Sequence, residues 1–237
     1  MFKRISIVIL AAGLIVAVSA GAFSALAAPQ DNVIKAAPVA DEPFDTNLVG
    51  SNDQATILVQ AASESLTSGE SAGLLFMYEE EKLARDVYLT LSEIYSLPVF
   101  KNISKSEQVH MDKVLCLLVH YNIEDPASEE IGVFSNPDLQ SFYNSLIDLG
   151  TPSLIGALTA GATIEDYDIH DLNHNIELTE NIAIITIFEY LVCGSGNHMR
   201  AFSSLLNMRD VEYTPKFISP EEYSIILESE HQFCGLR

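Results

Sequence analysis

From about residue 73 the chain carries apolar side chains at spacings of three and four. Leu74, Met77, Tyr78, Ala84, Tyr88, Leu91 and Tyr95 form one stripe and predict a long helix over residues 73–95, which Pro98 brings to an end. A second helix is expected to start after Asn102 or Ser104 and to run to about residue 121, with Val114, Leu117, Leu118 and Tyr121 on one face. Asn122 and the turn Glu124-Asp125-Pro126 close it. Pro137 opens a short helix over 138–149 that Gly150 stops. A third long helix is expected over 152–172, with Leu154, Leu158, Ile169 and Leu172 in line, and a fourth over 177–207. Ser219-Pro220-Glu221-Glu222 reads as a helix start, with a capping serine, proline at the first position and glutamate at the third. Strand-like alternation is scarce. The class is therefore all-α: a four-helix bundle with a short helix inserted between its second and third long helices and a short C-terminal helix.

The N-terminal segment belongs to a different category. Lys3 and Arg4 precede an apolar run that ends in Ala25-Leu26-Ala27, which reads as a signal peptide over residues 1–27, with an uncleaved N-terminal anchor as the rival. Residues 28–70 are rich in Pro, Asp, Asn, Ala, Ser and Thr and read as a flexible linker, leaving 71–237 as the helical domain. The expected location is exported: periplasmic, cell-surface or extracellular. Membrane contact is expected only through the N-terminal segment, if it is kept.

Charge narrows the partners. Against 33 acidic residues stand 12 basic ones, a formal net charge of −21. Loss of Lys3 and Arg4 with a cleaved leader makes the balance more acidic still, so nucleic acid is excluded as a partner. Such a surface concentrates cations without naming one. Three cysteines, Cys116, Cys193 and Cys234, cannot all pair within one chain. Cys116 and Cys193 are expected to be small core residues, Cys234 an exposed thiol, and the absence of Cys-x-x-Cys argues against a zinc ribbon.

The chemistry lies in polar residues that fall on apolar stripes. Glu107 and His110 are three apart on the second predicted helix, so a carboxylate and an imidazole share its inward face. Glu81, Glu165 and His198 fall on the inward stripes of the first, third and fourth. Burying an unpaired carboxylate costs several kcal/mol, so such a cluster needs cations, hydrogen bonds or a metal. The competing structural reading of Glu107 is a capping box with Ser104. The run Glu79-Glu80-Glu81-Lys82 reads mostly as a solvated face, with Glu81 and Arg85 as an i,i+4 pair. Asp166, Asp168 and Asp171 are expected to face mainly solvent, although Asp168 is one turn from Glu165 and could assist it. His120, His170, His174 and His231 read as surface or loop residues. No His-Glu-x-x-His occurs and no Ser/His/Asp set lies in a nucleophile elbow, which disfavours zinc proteases and serine hydrolases.

The segments Tyr78-Glu-Glu-Glu-Lys-Leu-Ala-Arg-Asp-Val-Tyr88, Ser106-Glu-Gln-Val-His-Met111, Gly161 to Leu172 and Gly194-Ser-Gly-Asn-His-Met-Arg-Ala-Phe202 carry a resemblance. They are similar to an exported prokaryotic family of unknown function in the ferritin-like superfamily, related to rubrerythrin-type bundles. The resemblance implies a left-handed four-helix bundle holding two iron or manganese ions, with one Glu from each of two helices and a Glu-x-x-His from each of the other two. Glu81, Glu107, His110, Glu165 and His198 would fill five of the six places, and Tyr88 would support a ligand by a hydrogen bond. The sixth place departs from the pattern, because Ser195 stands three before His198. Glu189 is nine residues before that histidine, about 180° around a regular helix and about 13 Å along it, so only a π-bulge at Gly194-Ser195-Gly196 would turn it inward.

The functional expectation is an exported metalloprotein that binds one or two iron ions, with manganese or zinc as alternatives, and takes part in redox chemistry with dioxygen or peroxide as an oxidoreductase. The alternative is a metal-free four-helix interaction module that has lost the site, in which the carboxylates pair with Arg85, Arg200 or water. The sequence leaves open the substrate, the nuclearity and whether the chain forms a homo-oligomer.

Overall fold

The structure, a computed structural model, describes residues 65–234. The expected leader and most of the expected linker lie outside the described residues. Six helices occur among the described residues, and no strand. They are α1 (Ser68–Ile94), α2 (Pro98–His120), α3 (Pro137–Gly150), α4 (Leu154–Glu177), α5 (Ile182–Asn207) and α6 (Pro220–Glu228). None is long and apolar enough to cross a membrane.

Caps account for several boundaries. Thr67 and Glu70 form a reciprocal capping box that starts α1 five residues earlier than the apolar stripe indicates. Pro98 begins α2 rather than merely ending α1, because proline at the first helical position costs no hydrogen bond. Ser104 therefore sits inside α2, where its hydroxyl donates to the Lys101 carbonyl at 3.1 Å. The capping-box reading of Glu107 falls with that shift. Asn136, Ser153, Asn181 and Ser219 cap α3, α4, α5 and α6 through their side chains.

The four long helices pack in a cycle, α1 against α2 and α4, and α5 against α4 and α2, while α3 lies on α1 and α4 and α6 on α5. Two apolar clusters fill the interior. One, around Tyr88, Phe100, Phe202, Leu139 and Tyr223, lies toward α3 and α6, and the other, around Met77, Leu117, Leu118 and Phe188, lies at the opposite end of the long helices. The polar residues described below stand on the same inward faces.

The loop 121–136 overturns the expected solvated face of α1. Glu79, Glu80, Glu81 and Lys82 are all buried. The Glu79 carboxylate accepts from the backbone amides of Ser135 and Asn136 at 2.6 and 3.1 Å. Lys82 donates to Asp86 at 2.5 Å and to the carbonyls of Glu130 and Val133 at 2.9 and 3.1 Å, and its ammonium lies 4.5 Å from the Phe134 ring centroid. Asp86 also accepts from Arg85 and from the Gly132 amide. Gly132 has φ +78°, and a β-carbon there would stand 2.8 Å from the Tyr143 ring, so glycine is required on both counts.

The expected surface position of Asp166 also fails. It is fully buried and accepts from the Tyr213 hydroxyl at 2.7 Å and from the amides of Lys216, Phe217 and Ile218, which binds the segment before α6 to α4. Cys193 and Cys234 are joined by a disulfide, Cα–Cα 5.7 Å, which ties the C-terminal segment to α5. This corrects the expectation of a core Cys193 and an exposed Cys234 thiol. Cys116 is free and partly buried.

Candidate metal centre

Each long helix brings polar side chains to one place. From α1 come Glu81 and, two turns later, Tyr88; from α2, Glu107 and His110; from α4, Glu165 and Asp168; from α5, Ser195 and His198. All are buried, Glu81, Glu107 and Glu165 to 1% exposure and His198 to 7%.

Glu107 occupies the middle. Its Oε2 lies 2.8 Å from His110 Nδ1, and its Oε1 lies 2.9 Å from His198 Nδ1. Glu81 Oε2 approaches the same His110 nitrogen at 3.2 Å, and Glu165 Oε2 approaches the same His198 nitrogen at 3.4 Å. The result is two groups of three that share Glu107: Glu81, Glu107 and His110, and Glu107, Glu165 and His198. Within each group the offered ligand atoms lie within 4.8 Å of one another. The two imidazoles stack with centroids 5.5 Å apart.

Neighbours hold the rings and carboxylates in place. His198 Nε2 lies 2.9 Å from the Ser106 hydroxyl, which orients the ring with Nδ1 toward the carboxylates. His110 presses against α5 at Gly194, where a β-carbon would meet Nε2 at 2.5 Å; the glycine makes room for the imidazole. The Tyr88 hydroxyl donates to Glu165 Oε1 and lies 3.3 Å from the Gly161 carbonyl. Ser195, in place of a carboxylate three before His198, donates to Asp168 Oδ2 at 2.5 Å.

Hydrogen bonding is incomplete. Glu81 Oε1, Glu107 Oε1, Asp168 Oδ1, His198 Nδ1 and both oxygens of Glu80 are buried without a hydrogen-bond partner among the described residues. The 2.9 Å approach of Glu107 Oε1 to His198 Nδ1 is thus close without the alignment of a hydrogen bond. Arginine does not relieve the charge: Arg85 turns to Asp86 and Gln108, and Arg200 to Asn197, Ser229 and the Ile226 carbonyl.

The titration behaviour follows from this crowding. Burial pushes the Glu81 carboxyl up to about 7, against the pull of His110. Burial acts on Glu107 as well, yet His198 and His110 override it and hold that carboxyl at about 2. Burial opposes charging of His198, but Glu107 and Glu165 push it up to about 10; His110 is raised by Glu81 and Glu107 in the same way. Glu165 is raised by burial and by Glu107, and Asp168 by burial and by Glu81 and Glu165. Three carboxylates around two imidazoles, with a fourth alongside, are the donor set that takes divalent first-row metal ions.

Glu189 is exposed and α5 stays α-helical through Gly194–Gly196, so the bulge that would turn Glu189 inward does not occur. Asp168 is buried rather than solvent-facing, and beside the site. Sequence reasoning missed Glu80, Ser106 and Gly194. A signal for the first was available: four consecutive charged residues sweep about 300° of a helix, so they cannot all face solvent on a helix packed on two sides.

Residues 70–230 match the family described as "Uncharacterized protein domain (DUF2202)". The chain belongs to the DUF2202 family. It is 51% identical over 167 residues to "Uncharacterized protein MJ0754" of Methanocaldococcus jannaschii, an alignment that covers 70% of this chain and 90% of that protein. The crystal structure of hypothetical protein MJ0754 superposes with a TM-score of 0.71 at 50% identity, covering 72% of this chain and 98% of that one. The DUF2202 match takes in all the helices that carry the buried cluster, α1 from Glu70 onward.

Proposed function

We propose that this DUF2202 protein is a ferritin-like four-helix metalloprotein whose core holds two divalent ions, iron first among them. Glu81 and His110 would hold one ion, Glu165 and His198 the other, and Glu107 both. The observation that carries the reading is the pair of buried three-residue groups meeting at Glu107, with oxygen and nitrogen atoms that have no hydrogen-bond partner among the described residues. Bound iron supplies one-electron chemistry toward dioxygen or peroxide. The protein's own part is to set the distances, to keep water out through burial, and to fix the carboxylate and imidazole orientations through Tyr88 and Ser106. Manganese and zinc suit the same donors, and Ser195 in place of a further carboxylate lowers the charge available to a second ion.

We place the protein outside the cytoplasm on the strength of its leader-like N-terminus, a location with which the Cys193–Cys234 disulfide is consistent. A second reading, a metal-free helical interaction module, draws on the His110–Glu107 contact at 2.8 Å, which offsets part of the buried charge without a metal. Metal analysis of protein loaded anaerobically with ferrous iron separates the two. One to two ions per chain, falling sharply in His110→Ala, is the expected result; no stoichiometric metal, or unchanged binding in the variant, removes the metal reading.

A further inference from the structure

Glu80, which the metal centre does not use, is buried with both carboxylate oxygens lacking a hydrogen-bond partner among the described residues. It is 1% exposed, and the charges that act on it most strongly are Asp171, Asp168 and Glu81, all acidic. Two positions away, Lys82 is wholly engaged by Asp86 and two loop carbonyls and offers Glu80 nothing. A buried carboxylate without a partner, set among other carboxylates, has no value for folding. It requires a reason of another kind.

The neighbours of Glu80 are arranged in order. On α4, Glu165, Asp168 and Asp171 follow one another at intervals of three, covering about 9 Å of helix, and the stripe winds by about 60° at each step. Exposure rises along it, from 1% at Glu165 and 3% at Asp168 to 16% for the Asp171 side chain. The outermost member pairs with His170, itself half exposed, at 2.7 Å. Asp168 is held through Oδ2 by Ser195, which leaves Oδ1 without a partner. Glu80 lies on α1 between Met77, which meets Asn175 of α4, and Tyr88, which donates to Glu165 of α4, and it is next in sequence to Glu81.

We infer that Asp171, Glu80 and Asp168 form an acidic path by which a divalent cation passes from the surface between α1 and α4 to the Glu81–Glu107–Glu165 centre. The inference rests on the metal reading above and assigns Glu80 a role in delivery rather than in holding the ion. Unpartnered oxygens along the way offer successive stations that bind a hard cation weakly enough to release it inward. Ser195 keeps Asp168 aimed along the path.

The test is the rate of cobalt(II) uptake by the metal-free full chain, followed by the absorption of the bound ion after rapid mixing with cobalt(II) chloride, with the number of ions bound at equilibrium measured separately. Glu80→Gln is expected to slow uptake by at least about tenfold, within the range by which charged clefts raise on-rates, and to leave the final number of ions unchanged. Asp171→Asn slows it by a smaller factor. Glu93→Gln, a neutralisation on the exposed end of α1, leaves it unaltered. Because Glu80→Gln replaces a buried carboxyl that has no hydrogen-bond partner among the described residues with a neutral group of the same shape, the variant melts at or above the parent temperature, so slow uptake is not a folding defect. Uptake at the parent rate in Glu80→Gln overturns the path, as does a loss of bound ions in proportion to the loss of rate, which would make Glu80 a ligand. Failure of the parent protein to bind cobalt at all overturns the metal reading and the path together.

Discussion

Helix α1 buries two sets of charges within the eight residues 79–86, and they are solved in opposite ways. On the side covered by the loop 121–136, Glu79, Lys82 and Asp86 are matched by opposite charge, backbone amides and carbonyls, so every charged group has a hydrogen-bonding partner. On the side facing α2, α4 and α5, Glu80 and Glu81 join Glu107, Glu165 and Asp168, with His110 and His198 against the carboxylates and several oxygens left without a hydrogen-bond partner among the described residues. The first set is what a fold does with charge it must bury. The second keeps polar atoms free at a cost, and a ligand is what would recover that cost.

Substitutions should break the symmetry between the two sets. The largest effect is expected from Lys82→Ala, which removes one partner of a buried pair and should lower stability by about 3–5 kcal/mol in chemical denaturation. Its metal content should be unchanged wherever the variant is folded. A saturating divalent ion should raise the stability of the parent protein by about 2.7 kcal/mol at a hundredfold excess over the dissociation constant, an increment absent from His110→Ala in thermal melts. Gly194→Ala should cost about 1–3 kcal/mol, because the new methyl group meets the His110 ring, and should weaken metal binding as well.

Titration sharpens the same comparison. In metal-free protein the His198 pKa is raised from 6.5 to about 10, so its contribution to stability is complete below pH 6.5 and is lost as pH rises toward 10. The melting temperature of metal-free protein should fall over that window, and the fall should be shallower in His198→Ala. Metal affinity should move the other way, since the ion competes with protons for the imidazoles and carboxylates and gains as they leave. The smallest effect belongs to the exposed Glu189: Glu189→Gln should leave metal content and melting unchanged.

The helices were legible because their cause is local. A stripe at helical spacing, a proline at the first turn and a capping side chain each act within a few residues. Even so, the start of α2 at Pro98 was misplaced, because proline both ends and begins helices and Ser104 offered a plausible cap two turns later. The five core residues Glu81, Glu107, His110, Glu165 and His198 were legible for a related reason: each interrupts an apolar stripe, and a polar residue on such a stripe is costly unless it has a task.

What the chain determined unaided was its all-helical class and the inward position of Glu81, Glu107, His110, Glu165 and His198, since periodicity and the burial cost of charge are properties of one helix at a time. Tertiary structure decided the rest. Only the covering loop turned Glu79 and Lys82 into buried residues, only the folding back of the segment after α6 paired Cys193 with Cys234, and only the packing of α4 on α1 and α5 buried Asp168 against Ser195. Each of these joins residues tens of positions apart. Their effect depends on which surfaces meet, and a helical period carries no information about that.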